Sequence, residues 1–159
     1  MKSISLTFVV LLAGCGPSSD DVRKMIRDEF ARHTERSYVT SAQVIGPYSP
    51  SVVVGSMVFV SGQIGLDPAT SALAGPDIEL QTRQALKNLE GILHEAGCDS
   101  SNVVQCTVYL RHMQDFQKMN LIYGGYFREG SYPARTTVEV ANLPKEAVVE
   151  IAAVAVRRK

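Results

Sequence analysis

The chain has 159 residues, and 16 lysine and arginine residues balance 16 aspartate and glutamate residues, so the formal net charge is zero. Hydrophobic residues make up 45% and charged residues 20%, which is typical of a globular protein with one ordinary core. A neutral chain lacks the electrostatic footprint of a protein that binds a nucleic acid backbone. The composition therefore indicates a single compact domain without a nucleic acid partner.

The beginning of the chain has the pattern of a secretion signal. A lysine precedes an apolar run over residues 4–12, which is too short to span a bilayer as a helix. The run ends in Leu-Ala-Gly followed by Cys15, which resembles the lipobox of bacterial lipoproteins, where the cysteine is lipidated. This pattern predicts a signal peptide over residues 1–14, a lipid anchor and a location in the cell envelope or periplasm. The alternative is a translation start at Met25 and a cytoplasmic protein.

Two further cysteines, Cys98 and Cys106, fall at a predicted helix end and in a predicted strand. In an exported protein they can pair, but the sequence does not give the distance between their Cα atoms, and buried free thiols are favoured. The three histidines, His33, His94 and His112, stand far apart, and no cysteine–histidine cluster has zinc-ligand spacing. No metal site is therefore predicted.

Residues 15–38 are interpreted as a tether that forms either a short amphipathic helix or a partly ordered spacer, because their charged stretch carries apolar residues at helical spacing. The compact domain is predicted over residues 39–159. Two β-rich runs, at residues 52–54 and 57–60, are separated by Gly55-Ser56, which predicts a tight hairpin.

Two helices and three strands are predicted to follow the hairpin. Asp77 is expected to cap a helix that ends near residue 96, and a second helix is expected from Gln114 or Asp115 to about residue 127. The strands are predicted at residues 103–110, 134–141 and 147–157. In the first of them, one face is expected to carry Val104, Cys106, Val108 and Leu110. The order β-β-α-β-α-β-β predicts an α+β domain with two helices packed on one face of a sheet.

The last predicted strand is apolar from residue 148 to 156, apart from Glu150. Such a run indicates burial on both faces, whereas two helices cover only one face of a sheet. The other face is therefore expected to meet further copies of the chain in a homo-oligomer.

Arg135 stands at the mouth of one predicted strand, and Glu150 lies within the next. Charged residues are rarely placed in such runs without a partner or a function. An arginine there can bind a carboxylate with two parallel hydrogen bonds, and a half-buried glutamate can hold or activate a water. The structural alternative is an ion pair between Arg135 and either Glu139 or Glu150.

Several segments of the chain together carry a resemblance to one protein family. They are Gly46-Pro47-Tyr48-Ser49-Pro50, Val60-Ser61-Gly62-Gln63-Ile64, Asn120, Pro133-Ala134-Arg135 and Val149-Glu150-Ile151. In this order they resemble the reactive intermediate deaminase family, also called YjgF or endoribonuclease L-PSP, over about residues 41–158. The resemblance implies a chorismate-mutase-like α+β fold and a homotrimer with clefts between subunits. It also implies hydrolysis of reactive enamines and imines, such as 2-aminoacrylate and 2-iminopropanoate, to 2-keto acids and ammonia, without a metal or cofactor.

The resemblance also implies roles for individual residues. Arg135 matches the arginine that binds the substrate carboxylate, and Glu150 matches the glutamate that places the attacking water. The substrate-binding positions are Tyr48, which lines the cleft, Ser61 and Gly62, which approach the ligand, Asn120 and Thr137. At Thr137 many members carry a cysteine, so thiol-dependent behaviour is not expected here.

Two other functions remain open from the sequence. A non-catalytic module that uses Arg135 to bind a small carboxylate is the main alternative to the deaminase. Endoribonuclease activity, which one family name suggests, is a weaker alternative, because the chain is neutral and lacks a basic, aromatic-rich groove.

Overall fold

The computed structural model describes residues 16–40 and 44–157. The chain divides into two compact units, Met1–Thr34 and Glu35–Lys159, which are described separately below. The predicted signal peptide and its lipidation site, Cys15, lie outside the described residues. No helix in residues 16–40 or 44–157 is long and apolar enough to cross a membrane.

The described part of the first unit contains helix α1 (Ser19–Thr34). Ser18 begins the helix, because its hydroxyl accepts a hydrogen bond from the Asp21 backbone N–H while the Asp21 carboxylate accepts one from the Ser18 N–H. The predicted amphipathic helix therefore forms. Its apolar side chains are all exposed, namely Val22, Met25, Ile26 and Phe30.

The second unit is built on a six-stranded sheet with the order β1-β2-β3-β6-β4-β5. The strands are β1 (Arg36–Val39), β2 (Ser51–Val54), β3 (Met57–Ile64), β4 (Val103–Leu110), β5 (Ala134–Glu139) and β6 (Val149–Val156), and the helices are α2 (Ile78–Glu95) and α3 (Phe116–Tyr126). Neighbouring strands are antiparallel except β4 and β5, which are parallel. The predicted α+β order is confirmed from β2 onward. The additional strand β1 pairs with β2 and lies within the segment interpreted as the tether.

Helix α2 begins and ends where its flanking residues require. The carboxylate of Asp77 accepts a hydrogen bond of 2.9 Å from the Leu80 N–H, which satisfies one of the free donors of the first turn. Gly97 has a φ of +75°, a left-handed conformation that terminates helices and suits glycine. Between these two residues, one stripe of α2 packs on the sheet with Ala85, Leu86, Leu89, Ile92 and Leu93 buried.

In β4, buried and exposed residues do not alternate from the first residue onward. Val103, Cys106, Val108 and Leu110 are buried, but Val104 is 47% exposed. The pairing of β4 with β6 changes register between Val103 and Gln105, and a bulge of this kind reverses the side-chain direction. The prediction that Val104 shares a face with the three later residues is therefore wrong.

The face of the sheet opposite the helices is apolar and partly open to solvent. Residues at facing positions in four neighbouring strands form one apolar row of Tyr38, Val52, Phe59 and Val154. In β6, burial is complete on the helix side, while Ala152 and Val154 on the opposite side keep partial exposure. The sequence predicted that both faces of this strand are buried. Within one chain, only the face toward the helices is buried.

Candidate functional site

The predicted site residues of the domain fall into two groups. The first, which we call the arginine group, consists of Arg135, Asn120 and Thr137. The second, which we call the glutamate group, consists of Glu150, Tyr48, Ser61 and Gly62. Strand pairing places the central residues of these two groups on opposite faces of the sheet.

Arg135 faces Cys106 on β4, and Cys106 faces Ala153 on β6. Directly paired residues in neighbouring strands point to the same face, and residues alternate between faces along a strand. Cys106 is fully buried in the core under the helices, so Arg135 lies on the helix side. Glu150 is three residues from Ala153 in a regularly paired part of β6, so its side chain leaves the other face.

The guanidinium of Arg135 rests against helix α3. Its Nη2 donates a hydrogen bond of 2.8 Å to the Asn120 side-chain oxygen. Its Cζ lies 4.5 Å from the ring centroid of Tyr123 and 5.5 Å from that of Phe116. No ion pair to Arg135 occurs among the described residues. The alternative of an ion pair with Glu139 or Glu150 is therefore not found within the chain.

The space behind Arg135 is apolar but contains two hydroxyl groups. Tyr123 is only 3% exposed and its hydroxyl lies beside the Cys106 thiol, while the Thr137 hydroxyl has no hydrogen-bond partner among the described residues. Burial raises the pKa of the Cys106 thiol and of the Tyr123 phenol, so both groups stay neutral near pH 7. Arg135 is thus the charged member of a group whose other side chains are neutral.

Glu150 and Gly62 form the centre of the glutamate group. Glu150 is half-buried, and this burial raises the pKa of its carboxyl group above the usual range. A Cβ atom on Gly62 would lie 1.8 Å from Glu150 Oε1, so the carboxylate occupies the space that a side chain would need. The predicted close approach at Gly62 is therefore an approach to Glu150.

Ser61 and Tyr48 belong to the chain segments that surround this carboxylate. The Ser61 hydroxyl donates a hydrogen bond of 2.7 Å to the Ser49 carbonyl, and the Ser61 N–H donates to the Pro50 carbonyl at 2.9 Å. These bonds join the end of β3 to the loop that carries Tyr48. The Tyr48 ring is 43% exposed, so it stands at the mouth of the site.

The glutamate group opens into a cavity of about 710 Å³. Tyr48, Ser61, Gly62 and Glu150 line it together with polar residues of α2 that include Lys87 and Asn88. The Asn88 amide donates hydrogen bonds to the carbonyl groups of Ile64 (3.1 Å) and Leu66 (2.8 Å), which fixes the end of β3.

The polar residues of α2 along the cavity are not among the site residues predicted from the sequence. Phe116 and Tyr123, which contact Arg135, are not among them either. The available signal was their spacing from Asn120, because residues three and four apart lie on the same face of a helix.

The two groups have complementary chemistry. A guanidinium that has no acidic partner can bind a carboxylate bidentately. A carboxyl group with a raised pKa can take up a proton and return it near neutral pH. No cluster of three side chains suited to a metal ion occurs in the described part of the chain. The fold and the site together define an α+β protein with an arginine that has no acidic partner among the described residues and a half-buried carboxyl group on opposite faces of its sheet.

Comparison with known proteins assigns the chain to a family. Residues 39–157 match the family described as endoribonuclease L-PSP, and the chain belongs to this family. The chain is 50% identical over 113 residues to the 2-iminobutanoate/2-iminopropanoate deaminase of Mus musculus, covering 71% of this chain and 83% of that protein. It is 46% identical over 116 residues to the enzyme of the same name from Salmonella typhimurium, covering 72% of this chain and 90% of that protein.

The fold agrees with this assignment. The crystal structure of the YjgF gene product from E. coli superposes with a TM-score of 0.72 at 37% identity, covering 77% of this chain and 99% of that one. The predicted family and fold class are therefore confirmed.

Proposed function

We propose that this protein is a hydrolytic deaminase that converts small 2-imino and enamine acids, of the 2-iminopropanoate and 2-aminoacrylate type, to 2-keto acids and ammonia. The observation that carries the proposal is the half-buried carboxyl group of Glu150, with its raised pKa, at the wall of an open cavity. The names of relatives at 46% and 50% identity support the same reaction.

The reaction needs one base that also serves as an acid. The Glu150 carboxylate accepts a proton from water as the water oxygen attacks C2 of the imine. The resulting carbinolamine takes the proton from Glu150 on its nitrogen. Glu150 then transfers the hydroxyl proton of the carbinolamine to the same nitrogen, the C2–N bond breaks, and ammonia leaves with the bonding electron pair while the hydroxyl oxygen becomes the keto oxygen. Arg135 holds the substrate carboxylate throughout and fixes C2 relative to the water.

Arg135 and Glu150 cannot act on one small substrate from opposite faces of one sheet. The proposal therefore includes a second copy of the chain, whose arginine group meets the glutamate group of the first copy in a cleft between subunits. The open apolar face, with Tyr38, Phe59 and Val154, supports this assembly, because an apolar sheet face of this kind is suited to contact another subunit. A closed ring of three copies, as the family resemblance implies, gives three equal clefts.

Hydrolysis of 2-iminopropanoate, generated in situ by an amino-acid oxidase, tests the proposal. The full chain is expected to accelerate formation of pyruvate, and Arg135→Ala and Glu150→Gln are expected to abolish the acceleration. Arg83→Ala is the matched control, because Arg83 is an exposed arginine on α2 that is not among the residues lining the cavity. A folded wild-type protein that gives no acceleration over buffer would contradict the deaminase.

The alternative function is a non-catalytic module that binds small carboxylates. Arg135, which has no acidic partner among the described residues, favours it as a binding site. The same assay separates the two functions. Binding of pyruvate that depends on Arg135, without hydrolysis of the imine, would identify the binding module.

The location of the protein is a separate proposal. The Leu-Ala-Gly-Cys pattern supports lipidation of Cys15 and anchoring to a membrane of the cell envelope. Labelling of the full chain with radioactive palmitate in a bacterial host is expected for the wild-type protein and not for Cys15→Ser. An unlabelled wild-type protein recovered from the cytoplasmic fraction would refute the anchor and favour a start at Met25.

A further inference from the structure

One face of α3 contacts the guanidinium group of Arg135. Phe116, Asn120 and Tyr123 are separated by four and three residues, so they point in the same direction from the helix. Their contacts with Arg135 are two ring faces, at 5.5 and 4.5 Å from Cζ, and one hydrogen bond of 2.8 Å. We call these three side chains the α3 cradle.

The α3 cradle restrains the arginine without neutralising it. A long arginine side chain loses much rotational freedom when it is held, and an arginine held in advance binds its ligand with less entropic cost. The aromatic rings restrict the orientation of the guanidinium plane. The Asn120 side-chain oxygen accepts a hydrogen bond from one of the five N–H donors of the guanidinium. The remaining donors and the positive charge stay available, because no described carboxylate forms an ion pair with Arg135.

We propose that Phe116 and Tyr123 are positioning residues for carboxylate binding, which hold the guanidinium of Arg135 so that its remaining N–H groups meet the carboxylate of a small 2-imino acid. This inference rests on the proposed function and adds two residues to it. Asn120, predicted from the resemblance as a ligand contact, orients Arg135 through its side-chain oxygen.

The aromatic ring of Tyr123, and not its hydroxyl, performs the positioning. The hydroxyl is buried beside the Cys106 thiol, whereas the ring face lies against the cation. Tyr123→Phe therefore retains the cradle, and Tyr123→Leu removes it while keeping an apolar side chain. Tyr126→Leu is the matched control, because Tyr126 lies on the same helix and packs on Phe127.

A double-mutant cycle between Tyr123→Leu and Arg135→Ala tests the inference. The measurements are kcat and KM for 2-iminopropanoate and the dissociation constant for pyruvate, with the full chain. Tyr123→Leu is expected to raise KM and the dissociation constant by about 3- to 30-fold, with kcat changed by less than about twofold. Tyr123→Phe and Tyr126→Leu are expected to stay within about twofold of the wild type. In the Arg135→Ala background, Tyr123→Leu is expected to have no further effect on pyruvate binding.

Several results would overturn the inference. These are equal losses in Tyr123→Phe and Tyr123→Leu, or a Tyr123→Leu effect that persists without Arg135. If Tyr123→Leu does not fold, Phe116→Leu replaces it in the cycle, because Phe116 is only partly buried and its loss is better tolerated.

Failure of the inference is distinguishable from failure of the proposed function. The Nε–H proton of Arg135 is expected to show a ring-current shift by NMR that survives Tyr123→Phe and becomes smaller in Tyr123→Leu, where only the more distant Phe116 ring remains. If the wild-type protein is active and Tyr123→Leu has an unchanged KM and an unchanged dissociation constant for pyruvate, the inference is overturned and the proposed deaminase function is retained. A wild-type protein that shows the shift but neither binds pyruvate nor hydrolyses the imine overturns the proposed function, and the cradle is then only structural.

Discussion

Gly62 and Glu150 approach so closely that no side chain fits between them. A Cβ atom on Gly62 would lie 1.8 Å from Oε1 and 2.6 Å from Cδ of Glu150. The space beside this glycine is thus filled by a carboxylate from the neighbouring strand. Any larger residue at this position must displace the group that we propose as the acid–base catalyst.

Gly62→Ala is therefore expected to lower kcat/KM for 2-iminopropanoate by about 100-fold, because a shift of about 1 Å in a reacting group has an effect of this size. Steady-state kinetics on the folded variant measure it. Gly124→Ala is the control, since a Cβ there meets no atom within 4 Å. Unchanged activity in Gly62→Ala would show that the position of Glu150 does not matter for the reaction.

The pH dependence of stability reports the burial of Glu150. Burial raises the pKa of this carboxyl group above its ordinary value of 4.5, so the native state holds the proton to higher pH than the unfolded chain. The contribution of this protonated carboxyl group to the free energy of unfolding is complete below pH 4.5 and is lost as pH rises through the native pKa. Glu150→Gln removes this loss. Urea unfolding at a series of pH values is expected to show the variant gaining stability relative to wild type as pH rises through that window, and a constant difference would refute it.

A site shared between two copies of the chain makes Arg135→Ala and Glu150→Ala complementary. Each variant alone is expected to be inactive. In an equimolar mixture of co-expressed chains, about a quarter of the clefts in a ring receive Arg135 from one copy and Glu150 from its neighbour. Recovery of about this share of wild-type activity, with a trimer by analytical ultracentrifugation, is expected. Zero recovery in verified mixed oligomers would place both residues in one chain's site.

Thr137 carries a buried hydroxyl without a described partner, on the same face of β5 as Arg135. Thr137→Val keeps the shape and removes the hydroxyl, so the free energy of unfolding is expected not to fall. If the hydroxyl binds the ligand, as the resemblance implies, KM is expected to rise by about 3- to 10-fold. Denaturant titration and steady-state kinetics measure the two effects. A variant with unchanged KM would remove Thr137 from the binding residues.

Gln81 joins three parts of the domain through one buried amide. Its nitrogen donates to the Gly75 carbonyl at 2.7 Å, and its oxygen accepts from the Val148 N–H at 3.0 Å. Gln81→Leu leaves both backbone groups without this partner, and the free energy of unfolding is expected to fall by about 2 to 3 kcal/mol. Chemical denaturation measures the loss, with the exposed Gln117→Leu on α3 as control. A loss no larger than in the control would show that water replaces the amide.

Much of the fold was predictable because its signals are local. The Asp77 cap, the helix end near residue 96 and the turn at Gly55-Ser56 each depend on a few neighbouring residues, and the structure confirms all three. The exposure of Val104 was not predictable, because a bulge arises from the pairing of β4 with β6 and leaves no mark in either strand alone. Strand β1 was missed for a related reason, since four residues become a strand only through pairing with β2.

The identities of the site residues came from motifs, but their arrangement did not. The sequence by itself determined the family, the order of the elements and the candidate residues Arg135 and Glu150, because these follow from residue types and spacing along the chain. Only the tertiary structure placed these two residues on opposite faces of the sheet and brought Tyr123 against Arg135. Which face a side chain occupies depends on strand register, and what it touches depends on how distant elements pack, so neither is encoded locally.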